Sequence, residues 1–470
     1  MKIRRTSTWV FFWTLLACLP LVAVDSKTNP RLSQLFQAAL GEYNSGRFAD
    51  AASHLEALLP QAPESFDVHE LLGFVYSAES LEAKATDHFK TAVRLKPNSA
   101  AARTNLAANL ARLGRLDAAE KEFNKAIELE PRNFDANHNL GELYVRAGKI
   151  SQAVPFLAQA QRIMPSAYDN GYDLAQAYLV TKQYVEARRT TRDLLSRKET
   201  AELHNLLGQI EEADANHVAA ANEFEAAAHI DPSETNLFDW GSELLVHRTL
   251  EPAIEVFRSG TGRYPNSSRL AIGLGMALYA RGNYDEAVKS LLRAADLSPS
   301  DPGCYLFLSK AYDSSPNQAE DVIQRFRRYA ELQPNNARAL YYYALSLWKG
   351  KRTQDAVQSL DQIQALLSSA VTLDPSFAEA HLQLGNLYSD EKKYAESIPE
   401  YLKAIEYKAD LADAHYRLGQ AYVRTDARDR AQEQFEIYQR LRTQQMAELD
   451  QRRAEIRQFV YSTKDTAVKP

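Results

Sequence analysis

The sequence predicts an all-α protein, an α-solenoid built from stacked antiparallel helical hairpins. Three observations predict this fold: a proline recurs at a fixed period, small residues recur at a constant distance before it, and apolar residues follow helical spacing between them. The recurring prolines are Pro63, Pro97, Pro131, Pro165, Pro232, Pro265, Pro299 and Pro334. The first four recur with a constant period of ~34 residues, and the last four keep this period to within one position. A period of this length is typical of proteins in which each repeat packs on its neighbours.

Each copy of the period carries the same ordered set of residues. A Gly or Ala is followed at a fixed distance by an Ala, and an aromatic residue or Leu, a small residue and a Pro come after it. The clearest copy contains Ala107, Ala119, Phe123, Ala126 and Pro131. Small residues allow the two helices of a hairpin to cross closely, and proline ends the second helix. Because one hairpin cannot cover its own apolar face, the hairpins must stack.

With this period and pattern, the chain resembles the tetratricopeptide repeat family over residues 32–443, in about twelve copies. The resemblance implies a right-handed superhelix whose first helices line a concave groove that holds extended peptides or helices. We expect about ten repeats over residues 32–377 and two more over 378–443. We expect residues 444–461 to form a polar continuation of the last hairpin or a capping helix, and residues 462–470 to form a disordered tail. The repeats leave too few residues at either end for a catalytic domain.

One copy departs from the pattern. The interval from Ala356 to Pro375 is longer by seven positions than the equivalent interval from Ala119 to Pro131, and this excess corresponds to two helical turns. The segment 361–367 therefore suggests a longer second helix. We expect either a step or hinge between the repeats up to residue 377 and the last two, or a protruding ledge with unchanged stacking.

The first 25 residues differ in composition from the rest. A basic start precedes an apolar stretch over 9–24, which falls short of the ~20 residues that span a bilayer. This pattern predicts an export signal, with a retained membrane anchor as the alternative. The segment ending at Cys18 resembles a bacterial lipobox, which implies lipidation of that cysteine, and cleavage after Ala23 is the competing outcome. We expect an exported protein that is periplasmic, secreted or membrane-tethered at the cell envelope.

Other patterns exclude classes of function. A net charge of −6 without a basic stripe argues against nucleic-acid binding. The sequence contains no Gly-rich phosphate loop, no His-Glu-x-x-His motif, no paired-cysteine motif and no Gly-x-Ser-x-Gly motif, so we expect neither an enzyme nor a cofactor. We also expect no metal, because no cysteine or carboxylate is spaced to complete a site. Four histidines share one place in their hairpins, which favours a packing role: His69, His204, His381 and His415. Cys304 is expected to be a packed residue.

Helical phase selects the residues that would face the groove. Asn105 and Asn139 resemble the asparagine ladder by which some such solenoids hold a peptide backbone. Between residues 134 and 245 the inward positions are acidic, which would favour Lys- or Arg-bearing segments unless this is an ordinary solvated face. The polar and acidic set is Asn105, Asn139, Glu142, Asp169, Asp173, Glu202 and Asp239.

Between residues 268 and 348 the inward positions are aromatic and apolar. An exposed apolar patch rich in Tyr and Trp is typical of a binding hot spot. Mutual packing inside a tight superhelix is the alternative. The apolar set is Ile272, Met276, Tyr279, Leu306, Phe307, Tyr341, Tyr342 and Trp348.

These observations predict a non-catalytic scaffold that acts outside the cytoplasm and binds peptide segments or helices in its groove. We expect it to serve the assembly of an envelope or secretion complex. The alternative is an accessory subunit of an enzyme complex whose catalytic partner is a separate chain. The expected partners are proteins or peptides, and contact with a membrane is expected only through the N-terminal segment.

Overall fold

A computed structural model describes residues 30–315, 317–351 and 360–466, with side chains over 31–315, 317–350 and 360–448. Within these ranges the chain forms 24 α-helices and no strand, which confirms the predicted all-α class. Residues 1–29, with the apolar segment and Cys18, lie outside the described part. In the ranges given, no helix is both long and apolar enough to cross a bilayer.

The chain divides into two compact units, Met1–Thr190 and Thr191–Pro470, with the boundary inside the tenth helix. The helices of the first unit are α1 Pro30–Asn44, α2 Phe48–Leu58, α3 Phe66–Ala78, α4 Glu82–Leu95, α5 Ala100–Arg112, α6 Leu116–Leu129, α7 Phe134–Arg146, α8 Ile150–Ile163 and α9 Tyr168–Val180. The boundary helix is α10 Tyr184–Arg197.

The second unit contains the remaining fourteen helices. They are α11 Ala201–Ala213, α12 His217–Ile230, α13 Glu234–Val246, α14 Leu250–Arg263, α15 Ser268–Arg281, α16 Tyr284–Leu297, α17 Pro302–Ser314, α18 Ala319–Leu332, α19 Ala337–Lys351, α20 Leu360–Leu373, α21 Ala378–Asp390, α22 Tyr394–Tyr407, α23 Ala412–Arg424 and α24 Arg428–Thr466.

Within each unit the helices pair as antiparallel hairpins that stack in order. An odd-numbered helix packs on the even-numbered helix after it, and that helix packs on the next hairpin. Successive odd helices also touch, as α5 and α7 do in the first unit and α15, α17 and α19 do in the second. The first helices therefore form one layer and the second helices another.

The small residue of each first helix lies where a large side chain of the second helix crosses it. A Cβ added at Gly73 would lie 2.5 Å from the Phe89 ring, and one at Gly275 would lie 2.5 Å from Leu291. A Cβ at Gly273 would lie 2.4 Å from Phe257 of the preceding hairpin. The recurring aromatic residue thus packs both within its hairpin and against the next one.

The hairpin turns have one backbone geometry but varied residues. Gly114 and Gly148 adopt φ of +74° and +73° there. Six other residues take nearly the same conformation at equivalent turns with φ between +59° and +64°: Ser80, Lys182, Ala215, Arg248, Lys392 and Asp426. Stacking of the hairpins therefore imposes a left-handed turn even where no glycine eases it.

The copy with the seven-residue insertion differs from the expectation. Its second helix, α20, is 14 residues long, as are α16 and α18. The buried Ile363, Leu367 and Ala370 occupy the recurring core positions. The insertion was expected at 361–367, but this core register places the extra residues before Ile363. Residues 352–359, which precede α20, lie outside the described residues. One hydrophobic core runs from Ala228 to Leu387 across the expected step, which argues against a hinge there.

The C-terminal region agrees with one of the two expectations for residues 444–461. α24 continues the second helix of the last hairpin to Thr466, so these residues extend that helix and do not form a separate capping helix. Residues 462–466 are helical, whereas a disordered tail was expected.

Candidate functional site

The four equivalent histidines tie the parts of their own hairpins together. His381 Nδ1 lies 2.6 Å from Glu400 Oε2 of the second helix, and its Nε2 lies 3.0 Å from the carbonyl oxygen of Pro375 in the preceding turn. His415 makes the same two contacts with Gln434 and the carbonyl of Ala409, at 2.7 and 3.1 Å. This pattern of contacts gives these histidines a structural role.

The predicted apolar set lies on α15, α17 and α19, three neighbours in the layer of first helices. We call its accessible members the aromatic face: Ile272, Met276, Tyr279, Leu306, Phe307, Tyr342 and Trp348. Leu306 is exposed, and the other six are half-buried. Most of them rest on the core with one side and keep the other side open.

Tyr341 does not belong to this accessible surface. It is buried, with its ring 4.9 Å from Phe377 and 5.6 Å from Tyr342. Tyr342, its neighbour along the helix, has its ring centre 5.9 Å from that of Phe326. The mutual-packing alternative therefore holds for Tyr341, whereas the other members of the set keep accessible surface.

Basic side chains border the aromatic face, and the sequence analysis missed them. Lys310 Nζ lies 5.6 Å from the centre of the Phe307 ring. Lys349 Nζ lies 4.6 Å from the ring of Tyr312 and 3.9 Å from Asp313. The spacing of three between Phe307 and Lys310 places both on one helix face and could have shown the first contact.

In the first unit, the predicted asparagine ladder is partly engaged by the protein itself. Asn105 Nδ2 donates to Glu70 Oε1 at 3.2 Å. Asn139 is buried, and its Nδ2 has no hydrogen-bond partner among the described residues. Glu142 lies 3.5 Å from Arg146, one turn further along α7. Of the two remaining acidic members, Asp169 is exposed and Asp173 is half-buried.

Glu70, which the sequence analysis did not select, is the most perturbed carboxyl group in this unit. It is buried, and burial, assisted by nearby Asp67, raises its pKa to about 7. The hydrogen bond from Asn105 and the charge of Lys96 act in the opposite direction without cancelling this rise. A carboxyl group of this kind changes its charge near neutral pH.

In the second unit, the predicted acidic position Asp239 is paired with a basic side chain. Asp239 accepts hydrogen bonds from Asn205 at 3.0 Å and from Arg269 at 3.2 Å. Arg269 also stacks its guanidinium 3.7 Å from the ring centre of Phe238. Glu202 is exposed. The arginine reaches Asp239 from the next hairpin, so the surface beside it carries both signs of charge.

Cys304 has the packed role that the sequence predicts. Its side chain is fully buried, and burial raises the pKa of the thiol to about 12. The thiol therefore stays protonated, and a protonated thiol is a poor nucleophile.

Comparison with known proteins places these helices in a family. Family models described as "Tetratricopeptide repeat" match residues 36–100, 98–166, 145–210, 238–302 and 306–371. A further model described as "TPR repeat" matches residues 385–426. The matches together cover most of the chain and most of its hairpins.

Individual relatives are distant. Protein O-mannosyl-transferase TMTC3 of Mus musculus is 23% identical over 199 residues, which are 40% of this chain and 20% of that protein. TPR repeat-containing protein YpiA of Bacillus subtilis (strain 168) is 24% identical over 186 residues, 40% of this chain and 42% of YpiA. The chain thus spans a fifth of the first relative and less than half of the second.

One similar solved structure covers part of this chain. PilW, described as a widely conserved type IV pilus biogenesis factor, is 23% identical, with 43% of this chain and 95% of PilW covered at a TM-score of 0.37. The recurring period, the hairpin geometry and the family-model matches along its length show that the chain belongs to the tetratricopeptide repeat family.

Proposed function

We propose that this protein is a non-catalytic scaffold that binds a peptide segment or helix of a partner protein on the aromatic face. The observation that supports this proposal is the row of accessible apolar side chains on α15, α17 and α19. Exposed apolar residues that cluster in this way are typical of protein-binding surfaces. The protein itself leaves these side chains half-covered, and a partner would complete their burial.

Trp348 and Tyr342 are the residues that we expect to contribute most of the affinity. Both are half-buried, so their orientation is already fixed by the core before a ligand arrives. Ordered aromatic side chains lose little conformational entropy on binding, and their truncation at a hot spot costs about 2 kcal/mol or more. This loss corresponds to roughly a 30-fold increase in Kd.

The site of action is proposed to lie outside the cytoplasm, in the assembly of an envelope or secretion complex. The basic and then apolar N-terminal segment supports export. Mass spectrometry of the mature protein would distinguish cleavage after Ala23 from lipidation at Cys18. Fractionation of a Cys18→Ser variant would show whether a lipid holds the protein at a membrane, since loss of the cysteine would then release it.

The partner can be identified by affinity capture from envelope extracts followed by mass spectrometry. Trp348→Ala and Tyr342→Ala should each weaken binding of the captured partner roughly 30-fold or more in calorimetry. Tyr407→Ala is the matched control, because Tyr407 is an exposed aromatic residue on the second helix α22. Circular dichroism would verify that all three variants remain folded. Undiminished affinity of both face variants would remove this surface as the binding site.

A further inference from the structure

Three side chains with metal-binding groups meet at the turn ends of two stacked hairpins in the second unit. His217 is the first residue of α12, Glu243 lies in the last turn of α13, and His247 directly follows α13. One ligand atom from each residue lies within 4.8 Å of the others. Because the residues come from two hairpins, no short sequence motif reveals them, and the sequence analysis expected no metal.

Two polar atoms of this cluster, one from His217 and one from Glu243, are buried without a hydrogen bond to any of the described residues. Glu243 is buried, and its Oε1 lies 3.2 Å from His247 Nε2 but has no hydrogen bond among the described residues. His217 Nδ1 is likewise buried without a hydrogen-bond partner. The two imidazole rings lie 4.2 Å apart, centre to centre. A buried polar atom left unsatisfied costs about 1–3 kcal/mol, so two in one cluster need an explanation.

A bound cation accounts for this arrangement. Zn²⁺ binds imidazole nitrogen and carboxylate oxygen at about 2.0–2.2 Å in tetrahedral geometry, which places neighbouring ligand atoms about 3.4 Å apart. The 3.2 Å between the Glu243 oxygen and the His247 nitrogen is close to this value. Two atoms directed at a shared ion would approach each other without the angle that a hydrogen bond requires.

The charges around the cluster also favour a cation. The carboxyl group of Glu243 offers an oxygen ligand within 4.8 Å of a ring nitrogen of each histidine. Glu212, an exposed residue at the end of α11, interacts electrostatically with both Glu243 and His247. Two histidines and a carboxylate form a ligand set that suits zinc better than calcium or magnesium.

We propose that His217, Glu243 and His247 bind one Zn²⁺ ion that joins the α11–α12 hairpin to the α13–α14 hairpin. Three protein ligands leave the fourth position to water, as in open zinc sites. This inference is independent of the aromatic face, which lies on later hairpins.

The test uses the tag-free full-length protein, stripped with a chelator and titrated with zinc chloride by calorimetry. The wild-type chain should bind one Zn²⁺ with a Kd at or below about 1 μM. His217→Gln and Glu243→Gln should each weaken this binding by roughly 100-fold or more. Glu243→Gln keeps the shape of the side chain, so its folding is not expected to suffer.

His229→Gln is the matched control, because His229 lies on the same helix α12 with an exposed side chain. It should bind zinc as the wild type does. Zinc should also raise the Tm of the wild type and of this control but not that of Glu243→Gln. Failure of the wild type to bind one equivalent, or unchanged affinity in Glu243→Gln, would overturn the proposal.

Discussion

Replacing the buried carboxyl group of Glu70 by the amide of glutamine changes its charge while keeping its shape. The remaining Oε1 still accepts the hydrogen bond that Asn105 Nδ2 donates at 3.2 Å. The substitution therefore isolates the free energy of placing a negative charge in the buried site. We expect Glu70→Gln to stabilise the first unit above neutral pH and to leave its stability nearly unchanged in mild acid.

The magnitude follows from the shift of the pKa. Burial first, and then Asp67, raise the pKa of Glu70 from 4.5 to about 7 in the folded protein. At about 1.4 kcal/mol per pKa unit, the ionised carboxylate costs about 3 kcal/mol of stability. Between these two pH values the folded state holds a proton that the unfolded state has released, so stability falls as pH rises. The full cost is present above pH ~7 and absent below pH ~4.5.

Hydrogen exchange of the backbone amides of α3, Phe66–Ala78, measures the stability of the helix that carries Glu70. A local measurement is needed because repeat arrays can unfold in parts. Exchange should be slower in Glu70→Gln than in the wild type at pH 8, and the difference should shrink toward pH 5 after correction for intrinsic rates. Glu64→Gln makes the same charge change at an exposed side chain and should show no such trend. Equal pH dependence in Glu70→Gln and the wild type would refute the reasoning.

Two further predictions concern the core. Gly275→Ala should lower the free energy of unfolding by about 1–3 kcal/mol, because the new Cβ would lie 2.5 Å from Leu291. Thermal denaturation measures this loss. Gly41→Ala is the control and should cause no loss, because a Cβ at Gly41 would have nothing within 4 Å. Cys304 should resist a thiol reagent at pH 7 in the folded protein and react fully in denaturant. The reason is that the folded core buries the thiol and raises its pKa to about 12. Rapid labelling of the native chain would contradict the assignment of Cys304 to the core.

The recurring pattern was sufficient to predict the helices because each of its positions has a steric reason. The segments 100–112 and 116–129 are helical as the pattern implies. The seven-residue insertion was misplaced because Ala356 follows Ala344 at the same distance that separates Ala119 from Ala107 in a normal copy. The core instead uses Ile363, and spacing alone does not choose between the two registers.

The site was less predictable because its contacts cross between hairpins. Helical phase places Asp239 in the groove but does not show that Arg269, on the first helix of the next hairpin, pairs with it. The bond between Asn105 and Glu70 links two hairpins in the same way. The helical phase within one hairpin also left open whether Tyr341 packs in the core or faces a ligand. The answer depends on Phe377, which comes from a later part of the chain and packs on the Tyr341 ring.

The layer of first helices has a mechanical consequence for the aromatic face. α15 contacts α17, and α17 contacts α19, so the aromatic face is built across two helix–helix interfaces. A small rotation at each interface would leave every helix intact. Small rotations at successive interfaces would add up along the array of hairpins. The spacing between aromatic groups would then widen or narrow, which would let the proposed binding surface accept segments of different thickness.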